Sequence, residues 1–156
     1  MLLKPRQTKY RKYHKGRISY NIRTNQDWLG SSNNDNVSNI RFKYGILALE
    51  PGRITASNMN AIELAIKRKL KSDGGSEGQK LELRVFPHIP VTKKPIEVRM
   101  GKGKGNIDYW MTRVKTGAIL LEFNCSNENF GKIISKIVNS KLPIKTKFIS
   151  RLESEN

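Results

Sequence analysis

Hydrophobic residues recur at helical spacing in two segments of the chain. The first stripe follows Thr55, a predicted N-cap, and consists of Met59, Ile62, Ala65, Ile66 and Leu70. The second lies within residues 126–142 and consists of Phe130, Ile133, Ile134, Ile137 and Val138. Pro143 follows the second stripe and cannot continue a helix. The pattern predicts two amphipathic helices, the first of which ends at a glycine-rich turn within residues 72–78.

The other hydrophobic segments are short and have the period of a β-strand. Residues 80–86 alternate strictly, with Leu81, Leu83 and Val85 on one face. Strands are also predicted at residues 42–49, 96–99, 108–114, 118–124 and 144–149, separated by proline or glycine turns. This order of elements indicates an α+β fold, with two helices on one face of a mostly antiparallel or mixed sheet.

Four parts of the chain differ in composition. Residues 1–23 form an extended basic arm, and residues 24–40 are an Asn-rich loop or insertion without periodicity. Residues 41–150 hold all the predicted helices and strands, and residues 151–156 form a tail. We therefore predict a single α+β domain preceded by the basic arm.

The charge of the chain indicates the class of its partner. The 156 residues include 30 Lys and Arg against 13 Asp and Glu, a formal net charge of +17. Such an excess opposes a compact free state and favours binding to a polyanion. No apolar stretch reaches the roughly 18 residues that a membrane-spanning helix needs, so we predict no membrane span.

The residue types that most often carry catalysis or bind metals are scarce. Cys125 is the single cysteine, which excludes an intramolecular disulfide, and His14 and His88 lie in unrelated segments. Carboxylates are isolated or lie in the tail, and neither a nucleophile with its base nor a metal-ligand spacing is present. We predict no catalytic residue, no metal site and no cofactor.

Two segments outside the predicted core have the chemistry of RNA contacts. In the arm, basic residues alternate with three tyrosines, which suits phosphate neutralisation and base stacking; a merely solvated tail is the alternative. On the first helix, Lys67 and Arg68 belong to a basic face that has only Glu63 as counter-charge. This face fits an RNA backbone, and a solvated face is the alternative.

A third segment, which we call the glycine loop, spans residues 99–105 and has glycine at three alternate positions. Glycines allow positive φ and leave the backbone N–H groups unshielded, and Lys102 and Lys104 add cations beside them. The spacing is neither that of a P-loop nor that of a dinucleotide-binding fingerprint. Nearby aromatic residues favour nucleic acid over the alternative, a flexible hairpin tip.

Four blocks of sequence match one known family, and they occur in that family's order. They are Lys-Tyr-Arg-Lys-x-His-Lys-Gly-Arg at 9–17, Arg-Val-Phe-Pro-x-x-Pro-Val-Thr-x-Lys-Pro at 84–95, Val-Arg-Met-Gly-Lys-Gly-Lys-Gly-Asn-x-x-Tyr-Trp at 98–110 and Lys-Leu-Pro-Ile-Lys-Thr-Lys-Phe at 141–148. With them the chain resembles, over almost its whole length, the bacterial and organellar family of large-subunit ribosomal protein number sixteen. The resemblance implies an α+β domain embedded in large-subunit rRNA, close to the aminoacyl-tRNA site and without catalysis of its own.

The resemblance also implies partners and contact residues. The partners are large-subunit rRNA, the aminoacyl-site tRNA and neighbouring ribosomal proteins. The expected rRNA-binding residues are Lys4, Arg6, Lys9, Arg11, Lys12, His14, Lys15, Arg17, Lys67, Arg68, Lys145 and Lys147. The expected loop near the tRNA and the peptidyl transferase centre consists of Arg99, Met100, Gly101, Lys102, Gly103, Lys104 and Gly105.

Departures from the bacterial pattern bear on the compartment. The segments 24–40 and 72–79 differ from that pattern, and the chain has 14 Asn and 16 Ile with only 5 Ala, as an AT-rich genome would encode. From the resemblance we expect the chain to start where the family does, without a presequence. We predict a mitochondrial protein encoded in the organelle, with a plastid or a bacterial cytoplasm as the alternative. The alternative function is a free RNA- or DNA-binding regulator on a basic α+β scaffold.

Overall fold

The computed structural model describes residues 4–18, 40–72 and 80–151. Its elements are, in chain order, β1 (Tyr44–Ala48), β2 (Gly52–Thr55), α1 (Ala56–Ser72), β3 (Leu81–Leu83), β4 (Ile89–Lys93), β5 (Asn106–Val114), β6 (Ile119–Phe123), α2 (Glu128–Lys141) and β7 (Thr146–Ser150). Most of the segments 24–40 and 72–79, the ends of the arm and all but the first residue of the tail lie outside the described residues. The predicted division of the chain into four parts therefore stays a prediction.

The strands form two antiparallel sheets. One has the order β3-β6-β1-β7 and the other has the order β2-β5-β4. The predicted α+β class is confirmed, and the described strand pairs are all antiparallel. The sequence pattern predicted one sheet, whereas β1 and β2 belong to different sheets although only residues 49–51 separate them.

The main core lies between both helices and the four-stranded sheet. It joins side chains of β1, β6, α1, α2 and the connection between β6 and α2, namely Tyr44, Ile46, Ile62, Ile66, Leu70, Leu121, Phe123, Cys125, Ile134 and Val138. The Tyr44 ring stacks on Phe148 of β7, with 5.5 Å between the ring centroids. Burial raises the pKa of Tyr44, and the nearby Cys125 and Glu128 raise it further, so the phenol stays neutral at physiological pH. Because side chains of both helices lie in this one core, both helices pack on one face of this sheet, as predicted.

A bulge in β6 lets the sheet contribute to a second core. The pairing of β1 with β6 shifts between Ile46, which faces Leu121, and Leu47, which faces Ile119. Leu120 has no partner in this register, and it packs with the second cluster while Leu121 packs with the first. The bulge thus turns two neighbouring leucines toward different clusters.

Two helix termini agree with the sequence. The Asn58 N–H donates to Thr55 Oγ1 over 3.3 Å, so Thr55 caps α1 as predicted. The helix α2 ends at Lys141, and Leu142, directly before Pro143, has extended backbone. Because proline disfavours a helical conformation in the residue that precedes it, the helix ends where the sequence places its end.

The sequence pattern places the strand between β3 and β5 at the wrong residues. Residues 96–99 form no strand: Ile96 is 96% exposed, and Val98 N–H donates to the Pro95 carbonyl in a turn. The strand lies earlier, at β4, which contains Pro90 and falls in a stretch that the sequence pattern assigns to a proline turn. Pro90 is accommodated because β4 is an edge strand and its other side needs no ladder hydrogen bond. The short strand β2 was also missed.

Candidate nucleic-acid interface

The basic arm lies against the three-stranded sheet. Arg53 of β2 and Arg113 of β5 are cross-strand partners, and both are exposed. Arg53 Nη2 donates to the Gly16 carbonyl over 2.8 Å. Gly16 has φ +68°, and a Cβ there would overlap the Arg113 guanidinium. The positive φ favours glycine at this position, Arg53 holds the arm's backbone on the sheet, and the Arg113 side chain lies next to it.

Most predicted arm residues present their side chains to solvent. The exposed residues are Lys4, Arg6, Lys9, Arg11, His14, Lys15 and Arg17, whereas Lys12 is half-buried. Tyr10 and Tyr13 meet edge to face with 6.1 Å between their ring centroids, and Lys9 Nζ lies 5.5 Å from the Tyr10 centroid. The arm thus presents cations and partly exposed aromatic rings on one extended segment, which can neutralise phosphates and stack on bases.

A cavity of about 410 Å³ separates the arm from the edge of the three-stranded sheet. Lys9, His14, His88 and Arg113 contribute polar side chains to its lining. Arg53, His88 and Arg113 are absent from the predicted site, because their segments read as a strand face or a turn and are distant in sequence from the arm. No local pattern reveals that an outward strand residue lies under another part of the chain.

The glycine loop belongs to the connection between β4 and β5. Gly101 has φ +103°, Lys102 φ +52° and Gly103 φ +89°, a left-handed run that glycine makes accessible. Lys94 Nζ donates to the Gly101 carbonyl inside this connection. At its end, a Cβ on Gly105 would overlap the Lys93 carbonyl, so only glycine allows this backbone approach.

The side chains of the glycine loop are largely exposed to solvent. Arg99, Lys102 and Lys104 are exposed, and Met100 is 99% exposed. Beside them, Ile96 is 96% exposed. The connection therefore combines basic groups with large apolar side chains that the protein itself does not cover.

The structure brings the arm and the glycine loop together. Lys12 Nζ donates to the Lys104 carbonyl over 2.8 Å, and Lys104 Nζ donates to the Tyr13 carbonyl over 3.0 Å. Together with the contacts of Gly16, these hydrogen bonds make one continuous basic surface from the arm, the three-stranded sheet and the glycine loop, which we call the arm–loop surface.

The four other predicted contact residues lie on different elements. Lys67 of α1 is exposed and donates to Glu63 Oε1 over 2.8 Å, and Arg68 is exposed next to it. Lys145 forms an ion pair with Glu50 over 3.0 Å, and Lys147 is exposed on β7. Two of these four cations are therefore already paired within the protein, where exposed pairs contribute little to stability.

Within residues 4–18, 40–72 and 80–151, no group of His, Cys, Asp and Glu side chains is arranged to hold a metal ion. Cys125 is buried, and its thiol donates to the Asn127 carbonyl over 3.2 Å. None of the helices in these ranges is long and apolar enough to cross a membrane.

Comparison with known proteins agrees with the resemblance seen in the sequence. The chain matches the family described as Ribosomal protein L16p/L10e over residues 5–149. It is 39% identical to large ribosomal subunit protein uL16 of Rhodospirillum rubrum, over 97% of this chain and 98% of that protein. It is 42% identical to the uL16 proteins of Blochmanniella pennsylvanica and Bartonella bacilliformis, over 97% of this chain and 100% and 98% of theirs. With a match over nearly its full length, the chain belongs to the Ribosomal protein L16p/L10e family.

Proposed function

We propose that this protein is a structural constituent of the large ribosomal subunit and binds the rRNA of that subunit. The arm–loop surface is the observation that carries the proposal. It joins exposed cations, partly exposed tyrosines and a glycine-rich backbone, and all three suit an RNA strand. Membership of the family supports it independently, since the named relatives are uL16 proteins of the large subunit.

Within this function, the arm and the glycine loop have different partners. The arm residues contact rRNA, with Lys67, Arg68, Lys145 and Lys147 as further rRNA contacts on other faces. The glycine loop extends toward the aminoacyl-site tRNA and helps to order that site. Chemistry at the neighbouring peptidyl transferase centre then belongs to RNA, and the protein has no enzymatic role.

A free RNA- or DNA-binding regulator is the competing function. Such a protein more often concentrates its charge on one recognition element. Here exposed cations are found on the arm, α1, the β4–β5 connection, α2 and β7. Positive charge on so many elements favours the ribosomal function, in which RNA surrounds the protein on several sides.

Sedimentation of native lysate distinguishes the two functions. We expect the protein to travel with large subunits in about one copy per subunit after a moderate-salt wash, because many simultaneous phosphate contacts keep affinity high. The measurement is quantitative detection of the protein across a sucrose gradient, beside a known large-subunit protein. Recovery only in the soluble or DNA-bound fraction would favour the regulator.

The composition of the chain bears on its compartment. The relatives named above are bacterial, whereas the Asn- and Ile-rich composition favours an organelle genome. We propose a mitochondrial ribosome, with a bacterial or plastid ribosome as the alternative. Location of the gene, together with fractionation of the cell, decides between them.

The Lys102→Met variant tests the role of the glycine loop. Lys102 is exposed and its ammonium group makes no hydrogen bond or ion pair to the described residues. Loss of one phosphate contact at ~0.1 M salt should weaken aminoacyl-site tRNA binding about fivefold, and incorporation into subunits should persist. Filter binding of tRNA to subunits that carry each variant is the measurement, with Lys141→Met on α2 as the matched control. Equal tRNA affinity in both variants would contradict a loop contact with tRNA.

A further inference from the structure

We infer that Lys12 and Lys104 are positioning residues that lock the arm and the glycine loop together, and that they are not phosphate ligands. The inference rests on the proposed RNA-binding function of the arm–loop surface and changes the assignment of two of its lysines. Arg99 and Lys102 are then the cations of the glycine loop that remain available to RNA.

The geometry is reciprocal. Lys12 reaches from the arm to the backbone of the loop, and Lys104 reaches from the loop to the backbone of the arm. The residues in each hydrogen bond are 92 and 91 positions apart in sequence. Lys12 is also half-buried, unlike the other predicted lysine and arginine contacts of the arm. Each ammonium group is therefore directed at a carbonyl within the protein.

The neighbouring contacts hold both partners of this brace in place. On the arm, Gly16 is held by Arg53 and lies against Arg113. On the loop, Lys94 donates to the Gly101 carbonyl, and Gly105 lies directly on the Lys93 backbone. The pair of lysines thus connects two segments that are each anchored elsewhere on the three-stranded sheet.

The brace has a consequence for RNA binding. A loop that is ordered before binding does not have to lose its conformational freedom when RNA arrives, and this raises its affinity. Within the loop, Lys102 has φ +52°, a left-handed conformation that non-glycine residues rarely adopt and that surrounding contacts must support. Arm and loop should therefore act as one binding unit, and damage to either lysine should loosen both segments.

Hydrogen exchange of the free full-length protein tests the brace. Lys12→Met and Lys104→Met each keep an unbranched side chain and remove the donor, and Lys102→Met is the matched control in the same loop. We expect the amides of Asn106 and Ile107, where the loop joins β5 and pairs with Lys93 and Thr92 of β4, to exchange about fivefold faster in the first two variants. This is the effect of losing ~1 kcal/mol of hydrogen bonding. The Lys102→Met variant should exchange like the unaltered protein.

Salt dependence of tRNA binding to subunits that carry each variant separates support from phosphate contact. Loss of one phosphate contact makes the negative slope of log K against log salt shallower by about 0.7–0.9. We expect this change for Lys102→Met. Lys104→Met should weaken binding and leave this slope unchanged.

The contradicting results are distinct. Unchanged exchange in both Lys12→Met and Lys104→Met would overturn the inference, and so would faster exchange in Lys102→Met to the same degree. A slope for Lys104→Met reduced as much as that for Lys102→Met would make Lys104 a phosphate ligand. The exchange measurement needs no ribosome, so failure of the brace is separable from failure of the proposed function, which sedimentation of the unaltered protein reports.

Discussion

Replacing Arg6, Arg11, Lys15 and Arg17 together with glutamine should weaken binding to large-subunit rRNA by about three orders of magnitude at ~0.1 M salt. All four side chains are exposed along the described arm. Each phosphate contact contributes about 0.7–0.9 to log K at this salt concentration through release of counterions, and four contacts sum to about 3. Titration of a labelled rRNA fragment at several salt concentrations measures both the affinity and the slope.

A second variant with the same net charge serves as the control. Lys43, Lys115, Lys136 and Lys141 are exposed and lie outside the predicted contact set. Changing these four lysines to glutamine removes the same charge but no direct phosphate contact, so only long-range electrostatic attraction to the RNA is lost. We therefore expect less than about a tenfold loss of affinity. If the two variants bind RNA equally weakly, the arm is not a contact element and the charge acts diffusely.

The Phe123→Ala variant should lower the free energy of unfolding by about 3–5 kcal/mol. Phe123 is fully buried in the main core, beside Tyr44 and between the strands and both helices. Truncation removes hydrophobic burial and leaves a cavity that close-packed neighbours cannot fill. Urea denaturation followed by tryptophan fluorescence and circular dichroism measures the loss, which is a large fraction of the total stability of a small domain.

The matched control for this variant is Phe86→Ala. Phe86 is 39% exposed and belongs to neither the main core nor the second cluster. We expect its truncation to cost less than about 1.5 kcal/mol, because it buries less surface and leaves no enclosed cavity. A loss of similar size in both variants would mean that the main core does not carry the stability of the fold.

The arm–loop surface also changes how the charge of the protein is understood. The excess of +17 indicates only a polyanionic partner. In the folded protein, the cations differ in availability: Lys67 and Lys145 have carboxylate partners, Lys12 and Lys104 have carbonyl partners, and Arg99 belongs to the exposed tip. Exposed cations without such partners are the first candidates for RNA phosphates, and the variants proposed above are chosen on that basis.

Local patterns predicted much of the fold. The stripe Ile62, Ile66 and Leu70 and the pair Ile134 and Val138 place the buried faces of both helices, because helical periodicity depends only on neighbouring residues. The hydrophobic pattern did not predict the edge strand β4, because this strand contains Pro90. It wrongly predicted a strand at residues 96–99, where apolar residues lie in an exposed turn. Those two errors share a cause: a strand depends on its partner, and the partner is not encoded nearby.

By itself, the sequence determined the two helices, the α+β class, the basic character of the surface and, through its four motif blocks, the family. These depend on composition, short-range spacing or identity along the chain. Only the tertiary structure decided that the strands divide into two sheets and that Arg53 and Arg113 lie beneath Gly16. It also decided that Lys12 donates to the Lys104 carbonyl while Lys104 donates to the Tyr13 carbonyl. Contacts between residues about 90 positions apart arise from strand pairing and packing, so no local pattern contains them.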